Sequence, residues 1–257
     1  MIPLRDSVPA SRTPIVTYAI IAVCAVVWLV QLGDPELVLR LGMVPARVLD
    51  PEGFPRAALR VGWPAAAAAV PDWLTLLTCT FLHGGWLHFL GNMLFLWIFG
   101  DNVEDRLGRV GFVVFYLGTG VVASAAHLLI ASHSVVPTIG ASGAIAGVMG
   151  AYLLLYPRAR VEVLMFIGII GTIVVPAWVM LGLWFLLQFV EGTMTLGRAG
   201  DGGGVAVWAH IGGFVAGVLV VLLLRALGGL RTPPPSIEFV RRRFRPTRYV
   251  GRGYYRD

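Results

Sequence analysis

The sequence has no lysine, only two cysteines and few charged residues of any kind. Asp, Glu, Lys and Arg together make up 13% of the chain, and hydrophobic residues make up 57%. Soluble domains carry about a quarter charged residues, so this composition excludes an ordinary soluble domain and predicts a membrane protein. Cys24 and Cys79 lie singly in apolar sequence, so we expect neither a disulfide framework nor a zinc site.

Metal and cofactor motifs are also missing. The H-E-x-x-H pattern is absent, and no group of His, Cys and Glu residues has the spacing of metal ligands. The net charge of +6 is unevenly spread, because the Arg-rich tail after residue 230 carries much of it. We therefore expect no cofactor, no metal and no nucleic-acid partner. The tail arginines would be attracted to anionic membrane lipid, and the alternative is that the tail is a solvated topology anchor.

Six apolar runs predict an all-α membrane protein, a bundle of six transmembrane helices over residues 14–228. The first run lacks a small-residue cleavage site and is interpreted as a retained span. A Pro-rich connector, 34–85, follows it, and the flanking segments 1–13 and 229–257 are polar, the second being interpreted as a disordered tail. The predicted spans are 14–33, 86–100 (extending toward 103), 110–131, 142–156, 163–190 and 205–227.

The distribution of arginine predicts the orientation of these spans. Six spans bring both termini to one side, and cytoplasmic loops carry an excess of basic residues. With the long connector set aside, the basic residues of the termini and of the loops at 101–109 and 157–162 share that side. We therefore expect a multi-pass protein of a bacterial plasma membrane with both termini in the cytoplasm.

Ser142 is the first candidate for chemistry. It lies between Gly140 and Gly143 at the start of the fourth span, where a helix offers unpaired N–H groups to a developing oxyanion. The flanking glycines allow close approach of a substrate backbone. Taken alone, the serine fits equally a small-residue face for helix packing.

His210 begins the sixth span, and Gly213 and Gly217 follow on the same helix face. The small residues predict tight packing on a neighbouring helix, with the imidazole at the end of the seam. An ionisable residue in a span indicates a functional site. The alternative is a buried histidine bonded to a backbone carbonyl.

His88 and Asn92 lie one helical turn apart in the second span. Both side chains can donate hydrogen bonds, so together they can stabilise a negatively charged oxygen. The alternative is that they only link helices through hydrogen bonds. Because the second, fourth and sixth spans all begin on the outer side, His88, Ser142 and His210 should converge near the outer face.

Other nucleophile patterns fit less well. The Gly-x-Ser-x-Gly elbow fails because position 144 is alanine. No carboxylate in the fourth or sixth span is available to orient His210, so the residues indicate a Ser-His dyad rather than a triad.

Over residues 14–228 the chain resembles the rhomboid family of intramembrane serine proteases. The matching motifs are H-x-x-x-N at His88 and Asn92, G-x-S-G at Gly140 to Gly143, and the histidine at 210 followed by small residues. The resemblance implies six core helices and metal-free peptide hydrolysis by Ser142 and His210. It also implies an oxyanion site at His88, Asn92 and the Ser142 N–H, and transmembrane proteins as substrates.

One position departs from the family pattern. Many rhomboids carry an aromatic residue four positions after the serine, where it supports the imidazole, and here that position is Ala146. Either another aromatic residue substitutes, or the dyad is less rigid. A non-catalytic escort that binds transmembrane clients is the alternative function. A small transporter is disfavoured, since no internal repeat or charged residue in mid-span is found.

Overall fold

The computed structural model describes residues 2–60, 62, 64–167, 169–195 and 206–231, which are mostly helical. Residues 232–257 of the Arg-rich tail and part of the 192–204 loop therefore lie outside the described residues. In chain order the elements are β1 (Ile2–Asp6), α1 (Ile15–Gly33), α2 (Leu37–Leu41), α3 (Pro45–Leu49), α4 (Phe54–Arg60), α5 (Thr75–Thr78), α6 (Trp86–Ile130), α7 (Ser142–Leu155), β2 (Arg160–Ile167), β3 (Ile169–Pro176), α8 (Ala177–Thr195) and α9 (Val207–Ala226).

Within the described ranges, four helices are long and apolar enough to cross a membrane, namely α1, α6, α8 and α9. The helix α6 has 45 residues and leaves helical geometry at Gly108, where φ is 75° and ψ is 166°. A left-handed φ suits glycine because it has no Cβ. This residue divides α6 into two halves that correspond to the predicted second and third spans. The segment 101–109, which the sequence predicted as a loop, is helical up to that point.

The fifth predicted span is wrong in its first half. Residues of the predicted run 163–190 form the β2–β3 hairpin before α8 begins at Ala177. This stretch is rich in valine and isoleucine, whose branched side chains favour strands. Apolar content alone does not separate a strand from a helix, which explains the error.

The fold is therefore not all-α, because β1, β2 and β3 form one antiparallel sheet in that order. The N-terminal strand pairs with β2, with Ile2 opposite Leu164 and Asp6 opposite Val161. The buried carboxylate of Asp6 accepts hydrogen bonds from the Tyr152 hydroxyl and, at 3.2 Å, from Asn102 Nδ2. Since Tyr152 lies in the last turn of α7, the sheet is attached at the opposite end of that helix from Ser142.

The helix α7 lies at the centre of the bundle and is buried on almost all sides against α6 and α9. Glycine allows this approach. A Cβ at Gly213 or Gly217 of α9 would overlap the carbonyl oxygen of Gly143 or Gly147 of α7. On the other side of α7, a Cβ at Gly147 would be 2.6 Å from the Thr119 hydroxyl of α6. Backbones in such contact fix the relative position of α7 and α9 within narrow limits.

The connector between α1 and α6 is held by a buried arginine. The Arg47 guanidinium is 3% exposed and donates to the carbonyl oxygens of Leu39 at 2.7 Å and Gly42 at 2.8 Å. It also pairs with Asp72, with Nε and Oδ1 at 2.9 Å. Arginine tolerates burial when its charge is paired and hydrogen-bonded, as it is here.

The connector in turn holds the loop that precedes α7. Met43 and Thr138 exchange two backbone hydrogen bonds of 3.1 and 2.7 Å, and the Gly140 N–H donates to the Cys79 carbonyl at 2.9 Å. These bonds fix the backbone just before Ser142. The connector therefore helps to position the candidate nucleophile, although it lies far from it in sequence.

Candidate active site

Ser142 is the first residue of α7, and Gly140 precedes it with φ at 130°. The positive φ at Gly140 turns the chain from the loop into the helix, a geometry that other residues rarely adopt. The first amides of a helix have no intrahelical carbonyl to bond. The hydroxyl of Ser142 therefore lies beside backbone donors at the positive end of the helix dipole.

His210 lies in the first turn of α9, 68 positions after Ser142, and the two side chains meet. The Nε2 atom of His210 is 2.7 Å from Oγ of Ser142, and the imidazole is 8% exposed. The glycine contacts between α7 and α9 bring the two helix starts to this distance. A hydroxyl in hydrogen-bond contact with an imidazole has the geometry of a nucleophile and its general base.

His88 lies beside the same loop with a defined proton position. Its Nδ1 accepts a hydrogen bond of 3.2 Å from the Gly84 N–H, so the neutral ring carries its proton on Nε2. That nitrogen faces Gly140, since a Cβ built there would be 2.7 Å from it. The Nε2–H group is therefore available to donate next to the Ser142 loop.

Asn92 follows one turn later in α6 and is 8% exposed. Its buried side-chain nitrogen Nδ2 has no hydrogen-bond partner among the described residues. An unpaired buried donor costs about 1–3 kcal/mol, and such groups call for a functional explanation. Asn92 therefore has an unpaired donor one helical turn after His88.

The turn that carries His88 is held by α1. Gln31 of α1 bonds both backbone groups of His83: its Oε1 accepts from the His83 N–H at 3.1 Å, and its Nε2 donates to the His83 carbonyl. The His83 ring packs edge-on against His88, with centroids 5.4 Å apart. Burial lowers the pKa of His83 to about 4, so this neighbour is neutral at pH 7.

The sequence interpretation missed two residues that contact His210, both from α8. The Nδ1 atom of His210 lies 2.6 Å from Oε1 of Gln188. The ring of Trp184 lies 5.6 Å from the imidazole, centroid to centroid, at an angle of 40°. A signal was present, because Gln188 interrupts an otherwise apolar run, but the sequence did not indicate its partner.

The space around the dyad is small. A cavity of about 20 Å³ lies against Ser142, Gly143, Ser124 and Thr80, which is room for about one water molecule. A larger cavity of about 480 Å³ lies at the start of α8, between Arg158, Arg160 and Trp178. A peptide therefore needs an opening of the bundle to reach Ser142. Among the described residues, no group of three or more His, Cys, Asp or Glu is arranged to hold a metal ion.

A family model and several known proteins match this chain. The family model described as the rhomboid domain matches residues 70–227. Rhomboid-like protein 11, chloroplastic, of Arabidopsis thaliana is 30% identical over 158 residues, 60% of this chain and 53% of that protein. Rhomboid protease GluP of Bacillus subtilis (strain 168) is 35% identical over 154 residues, 60% of this chain and 26% of that protein.

A third relative is Rhomboid protein 1, mitochondrial, of Saccharomyces cerevisiae, 30% identical over 150 residues, 57% of this chain and 40% of that protein. The matches thus span about half or less of the length of these relatives. The family model covers more than half of this chain and includes Ser142, His210, His88 and Asn92. With its apolar helices, this integral membrane protein belongs to the rhomboid family.

Proposed function

We propose that this protein is an intramembrane serine endopeptidase that cleaves transmembrane protein substrates through a dyad of Ser142 and His210. The observation that carries the proposal is the 2.7 Å contact between Ser142 Oγ and His210 Nε2. His88 offers a further donor beside the same loop, and Asn92 has an unpaired donor one helical turn after it in α6. GluP, named as a rhomboid protease, is 35% identical to this chain over 154 residues.

In the acylation step, the neutral imidazole of His210 accepts the Ser142 proton at Nε2 while Oγ bonds to the carbonyl carbon of the scissile peptide. The carbonyl oxygen becomes an oxyanion. When the tetrahedral intermediate collapses, the C–N bond breaks and His210 gives its proton to the departing amine. An acyl ester on Ser142 remains.

In the deacylation step, a water molecule replaces the amine. His210 accepts one of its protons, the water oxygen bonds to the ester carbon, and the C–O bond to Ser142 breaks. The proton returns to Ser142 Oγ, so the dyad is restored and a carboxylic acid is released.

Three donors stabilise the oxyanion in this mechanism: His88 Nε2–H, Asn92 Nδ2 and the Ser142 backbone N–H. The free Nδ2 of Asn92 and the proton position of His88 support this role. The glycines support it as well: Gly140 leaves space beside His88 Nε2, Gly143 allows α7 to meet Ala123 of α6, and Gly213 allows α9 to meet α7. Donors held ready in a water-poor site stabilise developing charge strongly.

The proposed membrane arrangement has six spans within residues 14–228, formed by α1, the two halves of α6, α7, α8 and α9. Both termini, 1–13 and 229–257, face the cytoplasm of a bacterial plasma membrane, and the spans lie in membrane lipid. The break of α6 at Gly108 supports two spans in place of one. Single cysteines introduced at His133 and at Arg158, in a chain with Cys24 and Cys79 replaced, should react with an impermeant thiol reagent from opposite sides.

The proposed activity is tested with three purified proteins: wild type, Ser142→Ala and His210→Ala. A fluorophosphonate probe, which reacts with activated serines, should label the wild type and neither variant. A reconstituted transmembrane substrate should be cleaved only by the wild type. Cleavage by Ser142→Ala at the wild-type rate would remove Ser142 from the mechanism, and a wild type without labelling or cleavage would favour a non-catalytic escort.

Substrates can be sought by comparing membrane proteins of cells that express the wild type or Ser142→Ala. Ectodomains released only by the wild type would identify substrates and their cleavage sites.

A further inference from the structure

The base of the proposed dyad is held by a helix that contains neither member of it. His210 contacts α8 through a hydrogen bond to Gln188 and a ring contact with Trp184. These two residues are four positions apart and therefore share one face of α8. The two contacts reach different parts of the imidazole, one an edge nitrogen and the other the ring.

The hydrogen bond determines which nitrogen of His210 carries the proton. The Oε1 atom of Gln188 is a carbonyl oxygen and only accepts, so His210 Nδ1 donates across the 2.6 Å contact. The lone pair of the neutral ring is then on Nε2, which faces Ser142 Oγ at 2.7 Å. This is the tautomer that a general base for Ser142 requires. A carboxylate performs this orientation in a Ser-His-Asp triad, and here an uncharged amide is in the same position.

The contact between Trp184 and His210 takes the place of the aromatic residue that is missing at position 146, which is Ala146. Ala146 is fully buried and has no ring to offer. Trp184 contacts both the His210 imidazole and the ring of Phe214, 6.2 Å away, and Phe214 in turn stacks on Phe185 at 4.6 Å. The support for the imidazole thus comes from α8 instead of α7.

The helix α8 touches the bundle along one narrow stripe. Most of the buried or half-buried side chains of α8 follow helical spacing, and the opposite side is exposed, Leu186 and Leu187 by 54% each. The stripe consists of Ala177, Met180, Leu181, Trp184, Phe185 and Gln188. Trp184 and Gln188 belong to it, so the imidazole is supported only while α8 is packed against α9.

We propose that Gln188 and Trp184 are positioning residues for His210: Gln188 selects its tautomer and Trp184 holds its ring. This inference rests on the proposed protease function and assigns a task to α8 within it. Displacement of α8 from the bundle removes both supports together. His210 then loses its orientation as the base for Ser142, although both residues of the dyad are chemically unchanged.

Kinetics on the full-length protein in liposomes tests the tautomer. In Gln188→Met the acceptor is lost at nearly constant side-chain length, and kcat should fall at least about tenfold with little change in KM. In Gln188→Glu an acceptor is retained, so kcat should recover, and the acid limb of the pH profile should move to higher pH because a carboxylate favours the protonated ring. The control is Leu187→Met, on the exposed side of α8, which should behave as wild type.

The ring contact is tested in the same assay. Trp184→Leu should lower kcat, and Trp184→Phe, which restores an aromatic ring, should recover most of it. Wild-type kcat in Gln188→Met or Trp184→Leu would overturn the respective role. Equal losses in Gln188→Met and Gln188→Glu, accompanied by equal losses of thermal stability, would assign Gln188 to the structure alone.

A readout without catalysis separates this inference from the proposed function. Histidine ¹⁵N chemical shifts distinguish the two tautomers, and the His210 signals are identified by their loss in His210→Ala. The wild type should show His210 protonated at Nδ1, and Gln188→Met should lose that preference. If the wild type cleaves nothing but shows this tautomer, only the proposed function fails; if it cleaves with the proton at Nε2, only the positioning role fails.

Discussion

Gly213 of α9 lies so close to Gly143 of α7 that a Cβ at Gly213 would overlap the Gly143 carbonyl oxygen. The neighbours Ser142 and His210 form the 2.7 Å contact at the end of this same seam. The separation of the dyad is therefore set by the absence of a side chain three residues away from the imidazole.

The variant Gly213→Ala should force α7 and α9 apart. Overpacking a tight contact costs about 1–3 kcal/mol, so the thermal midpoint should fall, and the wider dyad should label more slowly with a fluorophosphonate probe. Gly182→Ala is the control, because a Cβ there meets nothing within 4 Å. Wild-type stability and labelling in Gly213→Ala would show that the contact between α7 and α9 accommodates a methyl group, which contradicts the structure.

The variant Asn92→Ala distinguishes a role of Asn92 in catalysis from a role in linking helices. Removing one oxyanion donor lowers kcat by about 10²–10³-fold, while thermal stability should not fall, because Nδ2 has no partner to lose among the described residues. Asn102→Ala is the comparison, since Asn102 Nδ2 donates to both Asp6 and Asp101. That variant should lose stability. A loss of stability without loss of kcat in Asn92→Ala would favour the helix-linking role.

Gly140→Ala should impair activity in two ways. The residue has φ at 130°, which strains any side chain, and its Cβ would be 2.7 Å from His88 Nε2. We expect a strong fall in substrate cleavage, measured as kcat/KM. Gly91→Ala, one residue before Asn92 with no neighbour within 4 Å of a Cβ, should cleave normally. Unchanged cleavage in Gly140→Ala would argue against His88 as a donor at this loop.

Tyr152→Phe should loosen the sheet without altering the dyad. The hydroxyl donates to the buried carboxylate of Asp6, and losing a hydrogen bond to a charged group costs about 1.5–3 kcal/mol. The thermal midpoint should fall, but cleavage at low temperature should persist, because the sheet is attached at the other end of α7. Tyr18→Phe, at an exposed tyrosine, serves as the control. A large loss of cleavage would indicate coupling between the two ends.

The lowered pKa of His83 predicts how the stability of the fold depends on pH. Burial is the chief reason that its pKa is about 4 in the folded protein, compared with 6.5 for an exposed histidine. The unfolded state binds more protons between these values, so the stabilisation present above pH 6.5 is lost as the pH falls toward 4. Thermal midpoints measured across this range should decrease less in His83→Phe than in wild type. Parallel curves would exclude His83 as a source.

The membrane helices were largely predictable because each depends on local composition. A run of about 20 apolar residues satisfies its backbone by forming a helix, and the starts at Trp86, Ser142 and Val207 were read to within two residues. The β2–β3 hairpin was not predictable in this way, because its apolar run fits a helix or a strand, and the pairing of β2 with β1 joins segments far apart in sequence.

The proton position of His210 was likewise not predictable from local sequence. The motifs around Ser142 and His210 predicted the proposed dyad and the family to which the chain belongs. They did not identify Gln188, whose partner is 22 positions away on another helix. A lone glutamine in an apolar run is compatible with any hydrogen bond between helices, so the residue type alone leaves its task open.

By itself, the sequence determined that the chain enters a membrane, where most of its long apolar helices begin, and which side chains are candidates for chemistry, since composition and short motifs act locally. Only the tertiary structure decided that residues 160–176 form strands, that α7 and α9 meet through glycine, and that α8 supplies the partner of His210. These outcomes depend on contacts between distant segments, and a linear pattern does not specify which segments become neighbours.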